Sequence, residues 1–217
     1  VDHSVTETAA TIPGATGFVC STTDATQLAA VLDTFGTPDA VVNNAGIVRF
    51  GPLLDQSLDQ WRAVVDVNLT GTFTVAQAVA KRLVAEGRRG SMVNITSMNG
   101  VMPGPNAGAY GSTKSAVALL TKQMAVEWGQ HGIRVNAIAP GLIDAGMSGP
   151  IYADPQIRAL RESRVPLGRL GRSDDIARAV LWLLSDASEY ITGEEILVDG
   201  GVTILSLIHI SEPTRRY

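Results

Sequence analysis

Short apolar runs alternate along the chain with stretches whose hydrophobic positions recur at helical spacing, the pattern of strands joined by crossover helices in a parallel sheet. GFVC (17–20), DAVVNN (39–44), SMVNIT (91–96), IRVNAIA (133–139) and EILVDG (195–200) predict strands. Helices are expected over 24–35, beginning after Asp24 as cap, and over 57–86, as two helices broken near Asn68. Two more are expected over 109–130 and 173–184, the latter with Ser173 at the cap and Asp174 and Asp175 in the first turn, where the helix dipole favours them. No repeat or low-complexity linker interrupts this order. The fold class that follows is α/β, a single domain with a doubly wound, Rossmann-like parallel sheet. The glycine- and proline-rich segment 145–166 predicts a lid.

Composition narrows the partners. With 45% hydrophobic side chains in 217 residues, the chain can bury one substantial core. Its longest apolar runs, such as AVLWLL at 179–184, fall short of the ~20 residues that span a bilayer, so no membrane partner is expected. A formal charge of −4 and a pI near 5.3 argue against nucleic acid. Cys20 is the single cysteine, which excludes an internal disulfide and a multi-cysteine metal site and suits a reducing, cytoplasmic compartment.

The candidate chemistry lies at Tyr110-Gly111-Ser112-Thr113-Lys114, thirteen residues after Ser97. Residues four apart on a helix share a face, so the Lys114 ammonium is expected beside the Tyr110 phenol, drawing its pKa below the usual value of about 10. Such a phenol exchanges a proton with an alcohol or ketone near neutral pH, and Ser97 would hold the substrate oxygen. A Tyr-xxx-Lys pair also occurs on many ordinary helices.

Around this pair VVNNAG (41–46), DVNLTG (66–71), VNITS (93–97) and RVNAIAPG (134–141) fall in a fixed order. The ordered set resembles the classical short-chain dehydrogenase/reductase family, over about Val1 to Thr203. The resemblance implies a nicotinamide-dependent oxidoreductase interconverting a secondary alcohol and a ketone, with Tyr110 as acid/base, Lys114 on the nicotinamide ribose, and Ser97 on the reacting oxygen. It implies that Asn68 orders a proton-passing water, although a plain helix cap also suits this asparagine. Asn43, Asn44, Ala45 and Gly46 would steady the adenine side of the cofactor. Asp2 would accept from the adenosine ribose, favouring NAD with NADP still possible; a solvated terminal residue is the other reading.

Two positions depart from the family pattern. Ser21 stands where an adenine-contacting aspartate is common, and Ala145 replaces a threonine that reaches the carboxamide. Backbone groups at Pro140, Gly141 and Ile143 would hold the carboxamide instead. Met98, Val101 and Met102, with Met147, Ile151 and Tyr152 of the lid, predict a moderately apolar substrate pocket for a small alcohol or ketone; no fixed cation or anion cradle points to a phosphorylated or carboxylated substrate, although Arg158 and Arg161 could serve if the lid folds inward. The family further implies a homo-oligomer, dimer or tetramer, joined through the 68–86 and 109–130 helices.

Both ends depart from expectation. The family's glycine-rich turn, TGxxxGxG, is not found, and PGATGF (13–18) has neither its spacing nor a following helix. Val1-Asp2 reads as the end of a second strand, so an amino-terminal βαβ portion is expected to be missing. LSLIHISEPTR (205–215) resembles a translated sequencing adapter; residues 1–204 are taken as the domain and 205–217 as a non-native tail, with His209 excluded as a ligand. Two alternatives remain open: an NADPH-dependent 3-oxoacyl-carrier-protein reductase, and a non-catalytic binding or dimerising fragment.

Overall fold

A computed structural model describes residues 5–208. Asp2 and His209 therefore lie outside the described residues. Four parallel strands form one sheet in the order β1 (Ala40–Asn43), β2 (Gly90–Ile95), β3 (Ile133–Pro140) and β4 (Glu195–Val198). Neighbours pair in register, with Asn43 opposite Asn94, Asn94 opposite Ala137, and Ala137 opposite Glu195.

Helices precede and link the strands: α1 (Val5–Ala10) and α2 (Ala25–Phe35) before β1; α3 (Leu58–Val65) and α4 (Gly71–Ala85) before β2; α5 (Met98–Val101) and α6 (Gly108–Trp128) before β3. The final crossover carries α7 (Gly149–Tyr152), α8 (Pro155–Glu162) and α9 (Ser173–Leu184), and α10 (Val202–Ile208) follows β4. Successive strand residues face opposite ways, and in the central strands β2 and β3 both faces are buried. Met92, Ile133 and Val135 pack against α2, α4 and α6, whereas Val93 and Ile138 pack against Val180 and Leu183 of α9. Double burial explains why these strands read as continuous apolar runs.

Several expectations change. Residues 17–20 form no strand, because the nearest sheet edge, β1, does not pair with them and an isolated strand leaves its backbone groups without a ladder. Phe18 instead lies edge-on to Phe35 at 6.3 Å, and a Cβ on Gly17 would meet the α1 backbone at 2.8 Å. The break expected near Asn68 is a π-helical turn over Asp66–Thr70 that joins α3 to α4 without interruption. The resulting 28-residue helix, Leu58–Ala85, is long and apolar enough to cross a membrane, contrary to the reading of the short runs. In this fold its Ala76, Val79 and Leu83 are buried in the core. Ser173 lies inside α9; the cap is Arg172, whose N–H donates to the Asp175 carboxylate at 2.8 Å. The boundary expected at 204/205 falls within α10.

Candidate active site

Strand β2 ends at Ile95, and Ser97 caps α5: its Oγ accepts from the Asn99 N–H at 3.2 Å. A hydroxyl has one proton to give, so that bond leaves the Ser97 proton for the Tyr110 oxygen, with which Ser97 hydrogen-bonds. Helix α6 brings Tyr110 and Lys114 to the same place. Two glycines permit the approach. A Cβ on Gly100 would stand 2.9 Å from the Lys114 carbonyl carbon, and one on Gly111 would stand 2.9 Å from the Asn99 oxygen, both too close for real side chains. The α5–α6 contact thus fixes Ser97 against the Tyr-xxx-Lys face.

Lys114 is 4% exposed. Its Nζ donates to the Ile95 carbonyl at 2.7 Å and sits 5.5 Å from the centre of the Tyr110 ring. Burial disfavours the charged form of each group. It brings the Lys114 pKa down to about 8. For Tyr110 burial pushes the pKa up, and a hydrogen bond with Ser97 pulls it partly back. The expected lowering of the phenol pKa by Lys114 is therefore corrected: the ammonium is spent on Ile95, and desolvation dominates. A neutral phenol is poised as an acid that protonates a ketone oxygen.

Asn68 is fully buried in the π-turn. Its Oδ1 accepts from the Ile47 N–H at 2.8 Å, while Nδ2 donates to the Ile47 carbonyl at 2.9 Å and to Thr113 Oγ1 at 3.3 Å. This amide clamps the strand exit after Gly46 to the helix carrying Tyr110 and Lys114. Its backbone carbonyl accepts from the Thr72 hydroxyl at 2.8 Å. The side chain is a positioning group in this structure, and the cap position before α4 is Thr70 rather than Asn68.

A cavity of about 1470 Å³ opens over these groups. Ser97, Tyr110, Lys114, Asn44, Gly46, Pro140, Gly141 and Ile143 all line it. Asn43 does not: its amide donates to Asn94 Oδ1 at 2.8 Å, and Asn94 passes the chain to Thr121, also at 2.8 Å. Asn43 therefore ties β1 to β2 and α6. Ala45 is not on the cavity wall. Ser21 also lies away from it, bonded to Thr23 Oγ1 at 2.9 Å and to Gln27 at the start of α2. Gly141 has a packing reason as well, since its Cβ would meet Asp199 Cα at 2.5 Å.

The lid is helical, built from α7, α8 and a preceding turn at Gly146–Ser148. Met147, Ile151 and Tyr152 reach the cavity, as do Met98 and Met102. Val101 is solvent-exposed and off the wall. Arg158 is occupied by Asp144 and by Glu162, the latter at 3.2 Å, whereas Arg161 lines the cavity. The staples Asn94, Thr113 and Asn136 were missed in the sequence. Asn136 donates to the Ile191 carbonyl at 2.9 Å and accepts from the Glu194 N–H at 3.1 Å. A buried asparagine inside an apolar strand demands partners, and that was the available signal.

The residues fit a nicotinamide cofactor on size and on one cradle. A Cβ on Gly46 would come within 3.4 Å of Asn68 Oδ1 and 3.6 Å of Lys114 Nζ, so this glycine keeps open the floor of the cavity beside the lysine. The family model for the enoyl-(acyl carrier protein) reductase group matches residues 2–203. The chain belongs to the short-chain dehydrogenase/reductase family. Within it, the 3beta-hydroxysteroid dehydrogenase 1 of Eggerthella lenta is 39% identical over 81% of this chain and 67% of that protein. The 3-oxoacyl-(acyl-carrier-protein) reductase of Thermotoga maritima is 39% identical over 86% of this chain and 76% of its own length. Among solved structures, a gluconate 5-dehydrogenase from Burkholderia cenocepacia in complex with NADP and tartrate superposes with a TM-score of 0.81 at 37% identity, covering 86% of this chain and 74% of that one. As a short-chain dehydrogenase/reductase, the chain is an NAD(P)-dependent enzyme.

Proposed function

We propose that this short-chain dehydrogenase/reductase interconverts a secondary alcohol and a ketone, with Tyr110 as the acid/base. The observation that carries the reading is the convergence of Ser97, Tyr110 and Lys114 on one cavity wall. The cofactor, when bound, supplies or accepts the hydride. Asn44, Gly46, Pro140, Gly141 and Ile143 would hold it, and Lys114 would meet its ribose. Ser97 turns its proton from Tyr110 to the substrate oxygen and orients it. The Tyr110 hydroxyl gives its proton to that oxygen as a ketone is reduced, and its phenolate, formed by loss of that proton, takes one as an alcohol is oxidised. Lys114, with a pKa of about 8, is the group through which the Tyr110 proton can be replenished.

NAD is the proposed cofactor, with NADP as the alternative. We further propose a cytoplasmic homo-oligomer, either dimer or tetramer. Exposed apolar side chains on the long helices support the association: Phe73 and Val84 on α4, Leu119 and Val126 on α6. A second reading, an NADPH-dependent 3-oxoacyl-carrier-protein reductase, is supported by the Thermotoga relative and by the description of the matching family model.

One assay separates them. NAD+ and NADP+ reduction is followed with short secondary alcohols, beside NADPH oxidation with a 3-oxoacyl thioester. Alcohol-dependent NAD+ reduction is expected. Turnover confined to NADPH and the thioester would establish the second reading, and no turnover with any pair would contradict both, favouring a non-catalytic fragment.

A further inference from the structure

Charge on the cavity wall is one-sided. Among the described residues that line it there is no aspartate or glutamate, while Lys114, Arg161 and Arg164 supply three cations. Lys114 is spent on the Ile95 carbonyl. Of the three carboxylates from 144 to 162, Asp144 and Glu162 pair with Arg158, and Asp154 caps α8, its Oδ1 accepting from the Gln156 N–H at 2.8 Å. Among the described residues no carboxylate pairs with Arg161 or Arg164.

Their place in the lid points to the substrate. Arg161 lies in the last turn of α8 and is half-buried; its charge acts on the Tyr152 phenol. Tyr152 is packed in a cluster with Leu142, Val165 and Val202, against which Met98 also rests. Met98 is the neighbour of Ser97, the residue proposed to hold the reacting oxygen. Arg161 is thus reached from Ser97 through Met98 and Tyr152, on the lid side of the cavity, while Asn44 and Gly46 follow the end of β1. Arg164 sits one residue before Val165 of the same cluster and is exposed at the rim. A half-buried guanidinium without a protein anion, facing a cavity free of carboxylates, suits a ligand carboxylate, which it can meet with two parallel hydrogen bonds.

We propose that Arg161, seconded by Arg164, binds a carboxylate on the substrate, so that the preferred substrates are hydroxy acids and oxo acids whose anionic group lies away from the reacting carbon. The inference rests on the redox reading above for its reaction but not for its binding site.

Its test therefore reads binding and turnover separately. Calorimetric binding and kcat/KM are measured for two carboxylates, gluconate and 4-hydroxypentanoate, beside their neutral counterparts, glucitol and 2-pentanol. The proteins are the wild-type chain, Arg161→Gln, Arg161→Lys and Arg164→Gln. At least one carboxylate is expected to bind tenfold or more tightly than its neutral partner, a preference of about 1.4 kcal/mol. Arg161→Gln is expected to abolish that preference, Arg161→Lys to restore part of it, and Arg164→Gln to lower it less. Equal binding of acid and alcohol in the wild type, or a preference that survives Arg161→Gln, overturns the inference. A carboxylate preference lost in Arg161→Gln without oxidation of any alcohol supports the anion site and counts against the redox reading alone. Oxidation of neutral alcohols without any carboxylate preference does the reverse.

Discussion

The segment from Ile95 to Lys114 and the segment from Val5 to Asp24 contain the same kind of residue, a glycine pressed against a neighbouring backbone, with opposite consequences. A Cβ on Gly100 would meet the backbone of α6 at 2.9 Å, and one on Gly17 would meet the backbone of α1 at 2.8 Å. Around Gly100 everything is held. Ser115 donates to its carbonyl, Lys114 is tied to β2, and Thr113 is tied to Asn68. Helix α1 has no buried residue, and residues 17–20 have no strand partner. The contrast teaches that a tight contact fixes a site only when both sides belong to a closed network. Ser97, Tyr110 and Lys114 sit in such a network; Ser21 does not.

Substitutions at matched positions sharpen this. The largest effect is expected from Gly100→Ala, where neither backbone can yield: roughly 1–3 kcal/mol of stability, the usual cost of overpacking, together with a loss of turnover. The matched Gly17→Ala should cost less than about 0.5 kcal/mol, as surface changes generally do, because α1 can move. Urea unfolding of both variants measures the difference, and equal costs would break the comparison.

Asn68→Ala comes next. It leaves the Ile47 N–H and carbonyl without their buried partners, at a cost of roughly 1–3 kcal/mol, and loosens the cavity floor beside Gly46. Thermal melts read the first effect and cofactor titration the second; a variant as stable as the parent would show that water replaces the amide without loss.

A smaller effect concerns pH. The folded-state pKa of Lys114, about 8, lies below its ordinary value of 10.5. Between those values the unfolded chain binds the proton more tightly, so this residue's contribution to stability rises with pH. Below pH 8 the buried ammonium carries its full desolvation cost in the folded chain. Denaturant midpoints measured from pH 8 to pH 10, before the tyrosines titrate, should rise more steeply in the parent than in Lys114→Met. Parallel curves would contradict the assignment. The smallest change is Ser21→Ala, within about 0.5 kcal/mol and without effect on turnover, since its bonds stay within the exposed start of α2.

Much of this was legible in the sequence, for identifiable reasons. The central strands β2 and β3, buried on both faces, announce themselves as unbroken apolar runs, and all four strands fell near their expected places. The Tyr110–Lys114 spacing placed both side chains on one helical face, and Ser97 at the end of β2 followed. The strand expected at 17–20 failed because a strand is a property of a pair, and its partner is not given by local composition. The π-turn at Asp66–Thr70 failed because helix periodicity barely changes over one wide turn. Asn43 misled for another reason: in a motif of adjacent asparagines, only burial tells which faces the cavity and which holds the sheet. The direction of the Tyr110 pKa turned on desolvation, which spacing does not reveal.

Deuterium transfer tests the central claim most directly. A secondary alcohol deuterated at the carbinol carbon is incubated with NAD+ and the wild-type chain or Tyr110→Phe, and label on the recovered cofactor is quantified by mass spectrometry, with cofactor affinity measured alongside. The account predicts label transfer by the wild type and a loss of about 10²-fold or more in Tyr110→Phe, the usual worth of a general acid/base, with cofactor affinity nearly unchanged. Equal labelling by both proteins, or none by the wild type with any secondary alcohol and either cofactor, would contradict it.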